Sequence, residues 1–567
     1  MESTIRRLLL ANALKFNGKA NPKAIIGSLV QEVPEVKKDM QQTMKTVATL
    51  AQEINSLSLE EQEQELLKLD PSHFQKEQEE KQKRKQQANE LPALSNAIKG
   101  KVVTRIPPEP SKYAHLGHAM SFLINYLYAK QYDGKVFLRF DDTNPEKSTQ
   151  EFLDAIKEDV LDYLKLDVDD IIIASDHMDT YLSYAQDLIQ RGLAYVCSCE
   201  KETMATFRRE QKPCLHREQS IKENGQLWQE MLSGNNSTSV LRLKIDMDHK
   251  NAVMRDPVIY RSSTHEHFRV GTKYSVWPMY DFETAIEEGL AGVTHVLRSN
   301  EFDSRIELQN YIASLFDFPP VEYKHYGRYA ITGATTKGRE IRELIESGDY
   351  IGWDDPRLVT LKALQRRGIL PEAFTLLAKK IGLSKTQTNL DFGVIAAVNR
   401  NLLDEQAKRF FALKDPVAVS ITGIPEDFTS VALPLHPHAT TKEREFPLSS
   451  TCYLEREDHE KVNVGEVVRL IDTLNMKKVD ESTYEYIDQE YTFFQEIKEN
   501  KHLIHFLFGD LQKASLRLAD ASIIPLVIES SSRMLKPGEV VQFERYCFAR
   551  FDSVLEDGSM HFWFTHH

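Results

Sequence analysis

Val102-Val103-Thr104-Arg105-Ile106-Pro107-Pro108-Glu109-Pro110, followed shortly by His115-Leu116-Gly117-His118, is the stretch on which the fold turns. Val102, Val103 and Ile106 read as a strand, residues 107–110 as a Pro-rich loop. A helix then starts near His115 and carries Met120, Leu123, Ile124 and Leu127 on one apolar face. Asp133-Gly134 makes a turn, and Val136, Phe137, Leu138 and Phe140 make a second strand. Helices are expected over residues 149–164 and 179–191. Strand, helix, strand, helix in this order implies a parallel sheet with right-handed crossovers. Residues 294–297 read as a further strand leading into a helix at Asn300. Between these pieces, residues 195–275 break the pattern. They carry three of the five cysteines, a Gly234-Asn235-Asn236 turn and alternating strands such as Val240-Leu241-Arg242-Leu243. This segment reads as an insertion into the sheet.

Outward from that centre the texture changes twice. Residues 1–95 are poor in Gly and aromatics, and read as a helical extension. Leu8, Leu9, Ala13 and Leu14 could line one helix face, and Leu57, Leu59, Leu66 and Leu67 another. The nearly all charged or amide run from Gln75 to Gln87 reads as a solvated helix or linker. Residues 337–403 are again helical. From Val417 onward strands dominate, at residues 417–421, 451–454, 467–471 and 540–543. Lys536-Pro537-Gly538 and Glu556-Asp557-Gly558 punctuate them, as expected of a β-barrel region.

A chain of 567 residues, 41% hydrophobic and 28% charged, has room for several domains with ordinary cores. Its net charge of −14 argues against a general nucleic-acid binder but allows local basic patches. Arg366, Arg367, Lys477 and Lys478 are such basic points and could meet phosphates. No apolar run approaches a membrane span, and Leu8-Leu9-Leu10 is too short for a signal-peptide core. A cytoplasmic protein with no membrane partner is expected.

Two constellations carry chemistry. His115-Leu116-Gly117-His118 at a helix start suits a nucleoside triphosphate. Gly117 removes a side chain so that backbone can lie against a ligand. The helix N-terminus offers free N–H groups to phosphate. Two imidazoles can donate hydrogen bonds to oxygens that gain charge. Two surface histidines beside a helix cap would look the same in isolation. The second constellation is Cys197-x-Cys199 with Cys214-x-His216. Three thiolates and one imidazole suit a structural, tetrahedral Zn²⁺; free buried thiols are the alternative.

Residues 105–110 before His115-Leu116-Gly117-His118 resemble the signature of the class I glutamyl- and glutaminyl-tRNA synthetases. Further matches follow in family order: Leu138-Arg139-Phe140-Asp141-Asp142-Thr143-Asn144-Pro145, Trp277-Pro278-Met279-Tyr280-Asp281-Phe282, and Gly352-Trp353-Asp354-Asp355-Pro356-Arg357-Leu358 with Gln365-Arg366-Arg367-Gly368 behind it. Val541-Gln542-Phe543-Glu544-Arg545 resembles the end of the family's C-terminal barrels. The resemblance covers residues 100–567, and the extension with the barrels points to the archaeal-type branch.

The resemblance implies a multidomain α/β chain. The expected parts are a helical extension (1–95), a Rossmann-type parallel-sheet catalytic domain in two halves (96–194 and 276–335), an inserted acceptor-end-binding domain (195–275), a helical connecting domain (336–410) and a β-barrel anticodon-binding region (411–567). It implies ATP with Mg²⁺ as substrate, bound by His115, Gly117, His118 and a loop cation. That cation should lie in residues 331–341; Lys337 is the first choice and Arg339 the second. It implies Arg105 for the α-carboxylate of the amino acid, Asp141 for its α-ammonium and Tyr280 for its side chain. Arg298, in Thr294-His295-Val296-Leu297-Arg298-Ser299, is where glutamyl members resemble this chain; glutaminyl members have a small uncharged residue. The cysteine cluster is similar to a zinc site in the acceptor-end domain of some glutamyl members. The expected activity is ligation of L-glutamate to the terminal ribose 2′-hydroxyl of tRNA(Glu), with tRNA(Gln) left open, by a monomer. Alternatives are a glutaminyl-tRNA synthetase, a nucleotidyltransferase sharing the His-x-Gly-His loop, and a non-catalytic RNA-binding regulator.

Overall fold

The computed structural model describes residues 2–16, 18–72, 91–439 and 441–567. The chain divides into two compact units, Met1–Glu90 and Leu91–His567.

The first unit is a set of helices, Glu2–Lys15, Ile26–Glu32, Met40–Asn55 and Leu59–Leu69. Ser58 starts the last of them with a reciprocal cap: its Oγ accepts the Glu61 N–H, and Glu61 accepts the Ser58 N–H at 2.8 Å. Ile5, Leu9, Leu10, Ala13, Leu50 and Ile54 form the core. The expected face of the last helix is corrected. Leu66 is buried, but Leu59 is 46% and Leu67 39% exposed. The buried partner of Leu66 is the polar Gln62, four residues earlier, whose Nε2 donates to the Gly18 and Ile54 carbonyls at 3.0 and 2.8 Å. The run Gln75 to Gln87 lies outside the described residues.

The second unit begins earlier than residue 96. Leu91 and Leu94 are buried against Ile124, Tyr128, Leu297 and Tyr326. Strands β1 (Val103–Ile106), β2 (Lys135–Phe140) and β3 (Asp170–Ile173) pair in parallel, with Arg105 opposite Phe137 and Phe137 opposite Asp170. The helices Leu116–Gln131, Gln150–Glu158 and Met178–Gln190 connect and follow them. Gly134 sits so close to the start of β1 that a Cβ there would lie 2.1 Å from the Val102 carbonyl oxygen. After Met178–Gln190 the chain forms an antiparallel sheet of β4 (Ala194–Cys197), β5 (Val240–Leu243), β6 (Val258–Ser262) and β7 (Val276–Pro278). β7 leads back through the helix Tyr280–Leu290 to the parallel pair β8 (His295–Ser299) and β9 (Glu322–Tyr326). The Thr294 hydroxyl accepts the Val103 N–H at 2.8 Å, which sets β8 beside β1.

Three arginines share one position in this arrangement: Arg105, Arg139 and Arg298 are each the penultimate residue of a parallel strand. Side chains at the carboxyl ends of parallel strands face the crevice where α/β proteins bind ligands.

Beyond β9 a short parallel pair, Tyr329–Ile331 with Thr388–Leu390, ties the helices Gly338–Glu346, Leu361–Arg366, Pro371–Ile381 and Phe392–Asp404 to the sheet region. Two seven-stranded sheets follow. In one, the edge strands Lys408–Phe410 and Ala412–Leu413 are a single segment interrupted at Phe411. In the other, Lys501–Ile504 and Phe506–Phe508 are a single segment interrupted at His505. A segment that supplies both edges nearly closes its sheet into a barrel and leaves little edge exposed.

Buried charge holds this half together. The Arg444 guanidinium donates to Glu529 at 2.9 and 2.7 Å and to Glu544 at 3.0 Å, and Glu529 also accepts the Phe411 N–H at 2.8 Å. Two of the basic points that could have met phosphate are structural instead. Arg367 is buried and donates to the carbonyls of Pro356, Phe564 and Thr565. Lys478 is buried and donates to the carbonyls of His459 and Val462. Arg366 is ion-paired to Asp354 and Asp552. Burial explains the first two: a desolvated cation must find oxygen within the fold.

Glu529→Ala is expected to leave Arg444 with half its partners and the Phe411 N–H with none. The cost should be about 3–5 kcal/mol, seen as an earlier midpoint for the C-terminal region in denaturant unfolding.

Candidate active site

His115 has an extended backbone (φ −130°, ψ 174°) and caps the helix Leu116–Gln131. Its Nδ1 accepts the Gly117 N–H at 3.1 Å, and the His118 Nδ1 accepts the His115 N–H at 3.1 Å. The two rings stack with centroids 3.9 Å apart. Burial, with the Lys112 charge nearby, pushes the His115 pKa down to about 3. Burial, His115 and Lys112 push His118 well below its usual value. Both rings are therefore neutral near pH 7. Because each Nδ1 is accepting a backbone N–H, each ring carries its proton on Nε2. The pair is a set of two fixed N–H donors. A Cβ on Gly117 would come within 3.1 Å of the His115 ring, so the glycine first makes room for that ring to fold over the helix start. The expectation of open backbone for a ligand is refined accordingly.

Both histidines line a cavity of about 1270 Å³ that also reaches Arg105, Gly117, Asp141, Tyr280 and Arg298. At this second end charges are buried and mostly balanced. Arg105 donates from Nε to Glu288 at 2.9 Å, and its buried Nη1 has no partner among the described residues. Arg139 grips Asp141 in a fork, at 2.6 and 3.0 Å. Burial pushes the Asp141 carboxyl up, and the Arg139 guanidinium opposes the shift. Burial and the adjacent Asp141 carboxylate push Glu283 well above its usual range.

Arg298 differs from the other two arginines. It is buried at 6% exposure, and among the described residues it has no carboxylate at ion-pair distance. Its Nε donates to His325 Nε2 at 3.1 Å and its Nη1 to the Tyr280 hydroxyl at 3.4 Å, while the buried Nη2 has no partner among the described residues. The rings of Tyr323 and Phe302 lie 4.9 and 5.3 Å from the guanidinium. Burial and the Arg298 charge push His325 down to about 4, so it accepts from Arg298 and points Nδ1 at Asp303. A surface arginine after a strand is thereby excluded.

The structure does not bring the two expected loop cations into the cavity. Lys337 is largely exposed and pairs with Glu340 at 2.7 Å; Arg339 is 91% exposed and pairs with Glu343 at 2.8 Å. Both lie at the start of the helix Gly338–Glu346, where an acid three or four residues on is within reach and draws the cation outward. Arg139, Glu283, Glu288 and His325 were missed from sequence. Arg139 was findable, since it shares the penultimate strand position with Arg105 and Arg298. The other three come from distant segments and carry no local signal.

In the antiparallel sheet region, ligand atoms of Cys197, Cys199, Cys214 and His216 all lie within 4.8 Å of one another. The Cys197 and Cys214 sulfurs are 3.8 Å apart, and His216 Nδ1 is 3.8 Å from Cys197 and 3.4 Å from Cys199. Ligands at the usual Zn–S and Zn–N distances of about 2.3 and 2.0 Å would stand about 3.5 Å apart around a tetrahedron, so this donor set fits zinc. Arg242 donates from Nη1 toward Cys197 and Cys214 at 3.8 and 3.7 Å, a counter-charge for thiolates.

The family described as tRNA synthetases class I (E and Q), catalytic domain, matches residues 101–405, and its anticodon-binding domain matches residues 407–492. A protein named glutamate–tRNA ligase from Pyrococcus abyssi is 38% identical over 564 residues, with 98% of each chain covered. One of the same name from Methanothermobacter thermautotrophicus is 37% identical, covering 100% of this chain and 99% of that one. Another from Methanocaldococcus jannaschii is 34% identical, covering 98% and 99%. No described helix is long and apolar enough to cross a membrane.

NMR of ring nitrogens is expected to find His115 and His118 neutral as Nε2–H tautomers at pH 6, with His115 protonating only near pH 3. In the unfolded chain the same rings protonate near ~6.5. The unfolded state thus binds the extra protons, so this contribution to stability is full above that pH and is lost as pH falls toward 3.

Proposed function

The chain belongs to the class I glutamyl- and glutaminyl-tRNA synthetases, and within that family we propose that it activates L-glutamate with Mg-ATP and ligates it to tRNA(Glu). Full-length likeness to proteins named glutamate–tRNA ligase supports this reading. The observation that carries the choice of amino acid is Arg298. A buried guanidinium costs several kcal/mol unless an anion meets it, and among the described residues no carboxylate does. The γ-carboxylate of glutamate supplies that anion and accepts from Nη2. The amide of glutamine brings no charge and would turn N–H groups toward donors, so a site of this kind rejects it strongly.

In the first step an oxygen of the glutamate α-carboxylate attacks the α-phosphorus in line. The bond to the β-phosphate oxygen breaks and diphosphate leaves with the electron pair. His115 and His118 donate from Nε2–H to the α-phosphate oxygens as charge builds there. Arg105 holds the α-carboxylate through Nη1, Asp141, steadied by Arg139, takes the α-ammonium, and the Tyr280 hydroxyl faces the side chain. In the second step the ribose hydroxyl of the terminal adenosine of tRNA attacks the acyl carbon and AMP leaves. No bond to the protein forms, so positioning and electrostatics supply the rate.

The antiparallel insertion is assigned the acceptor end of the RNA, and the barrels the anticodon. Cys197, Cys199, Cys214 and His216 would hold a Zn²⁺ that cross-links the insertion, with Arg242 balancing charge; no catalytic step needs it. The work is placed in the cytoplasm with the rest of translation. The barrels account for the region that a nucleotidyltransferase would leave without a task.

Arg298→Ala is expected to lower kcat/KM for glutamate by ~10³-fold or more in tRNA-dependent pyrophosphate exchange. Purified tRNA(Glu) and tRNA(Gln), each offered both amino acids, test the assignment directly: preferential loading of glutamine would overturn it. Metal analysis should find one zinc per chain, lost in Cys214→Ser, with chelator lowering the melting temperature of wild type and leaving that variant unmoved.

A further inference from the structure

Arg298 owes its orientation to a neighbour on the next strand. In the parallel pairing of β8 with β9 it stands opposite His325. Its Nε donates to His325 Nε2 at 3.1 Å and its Nη1 to the Tyr280 hydroxyl at 3.4 Å. Tyr323, two residues before His325 on the same face of β9, and Phe302 set their rings 4.9 and 5.3 Å from the guanidinium. A planar group bonded at two corners and packed between rings has little freedom left. The direction of Nη2, the buried atom without a partner among the described residues, is thereby fixed.

Arginine has no acceptor, so its bond to His325 requires a bare Nε2 and puts the ring proton on Nδ1. Nδ1 points at Asp303, on the short helical turn Asn300–Arg305 that follows β8. The His325 ring is largely buried, while the Asp303 carboxylate is more than half exposed. Burial, with the charges of Arg298 and Arg105, keeps the ring neutral near pH 7. His325 thus holds the opposite tautomer from His115 and His118, and accepts where they donate. Arg105 and Arg139 are instead oriented by carboxylates in direct contact, Glu288 and Asp141, which also neutralise them. A carboxylate placed so on Arg298 would compete with an anionic ligand. A neutral ring fixes the guanidinium without cancelling its charge, and Asp303 stays one ring away.

Resting on the function proposed above, we propose that His325, its tautomer set by Asp303, is the positioning residue that aims Arg298 at the γ-carboxylate of glutamate and so sets the preference for the acid over the amide. Neither His325 nor Asp303 lines the cavity, so both act through Arg298.

The test uses the full-length chain in tRNA-dependent pyrophosphate exchange, with glutamate and glutamine each varied. His325→Leu removes the acceptor and keeps apolar bulk. It is expected to lower kcat/KM for glutamate ~100-fold and to narrow the preference over glutamine by at least ~tenfold, with KM for ATP within ~twofold of wild type. His325→Gln, whose amide oxygen reaches the place of Nε2, should stay within ~tenfold of wild type. His325→Asn, whose shorter amide reaches only the place of Nδ1, should behave as His325→Leu. Asp303→Ala should lose ~tenfold, since water partly replaces an exposed carboxylate, while Asp303→Asn keeps an accepting oxygen and should lose no more than ~threefold. Ring-nitrogen NMR of the wild-type chain should find His325 as the Nδ1–H tautomer. A His325→Leu chain as active and as selective as wild type overturns the proposal, as does an Nε2–H tautomer or an Asp303→Ala chain equal to wild type. Equal losses in His325→Leu and His325→Gln, or a loss shared by KM for ATP, would mark a packing role and overturn it too. A wild-type chain that exchanges no pyrophosphate with glutamate overturns instead the reading beneath it.

Discussion

The site depends on how four acids of one helix are buried. Asp281, Glu283, Glu287 and Glu288 all lie on Tyr280–Leu290 and are all nearly inaccessible. Glu288 takes Arg105 of β1; Glu283 lies 4.0 Å from Arg139 of β2; Asp281 takes Arg305. Glu287 is held by His177 and Tyr181. These pairings fix the helix over the carboxyl ends of the parallel strands. They also explain why Arg298, one strand further along, is the guanidinium left for a ligand: the acids within reach are engaged elsewhere. The electrostatic selectivity of the pocket thus follows from which arginines the fold has already neutralised.

At the other end of the cavity the same principle takes a different form. The histidines are kept neutral by burial and each surrenders Nδ1 to backbone N–H groups. What they retain is a pair of Nε2–H donors in fixed orientation, suited to an oxyanion that develops charge and unsuited to proton transfer. A chemistry of displacement at phosphorus needs only this. The reactants bring nucleophile and leaving group, and the protein brings donors that need not reorganise. The C-terminal half obeys the same rule of buried charge, since Arg444 and Glu529 pin the interrupted strand that brings the edges of one barrel together.

Much of this was legible before the structure. The alternation of apolar runs with Pro and Gly identified the parallel sheet, the insertion and the β-rich half, because these are local patterns of period and turn. The thiol and imidazole spacing identified the metal candidate. Misreadings arose where a residue's partner is far away in sequence. Arg367 and Lys478 read as basic points that could meet phosphates and are buried on carbonyls. Leu59 and Leu67 looked like core and are exposed, the inward place being taken by Gln62.

The chain by itself determined its family, its order of elements and most of the residues that meet in the cavity, since each is carried by a short motif whose chemistry is local. Only the tertiary structure decided which charges stay free. Arg105 finds Glu288 across 183 residues, and Arg298 finds no acid among the described residues. Lys337 and Arg339 each pair with an acid of the helix they begin. The physical reason is that a charge acts according to its nearest counter-charge and its burial, and both are set by packing between segments that sequence spacing does not bring together.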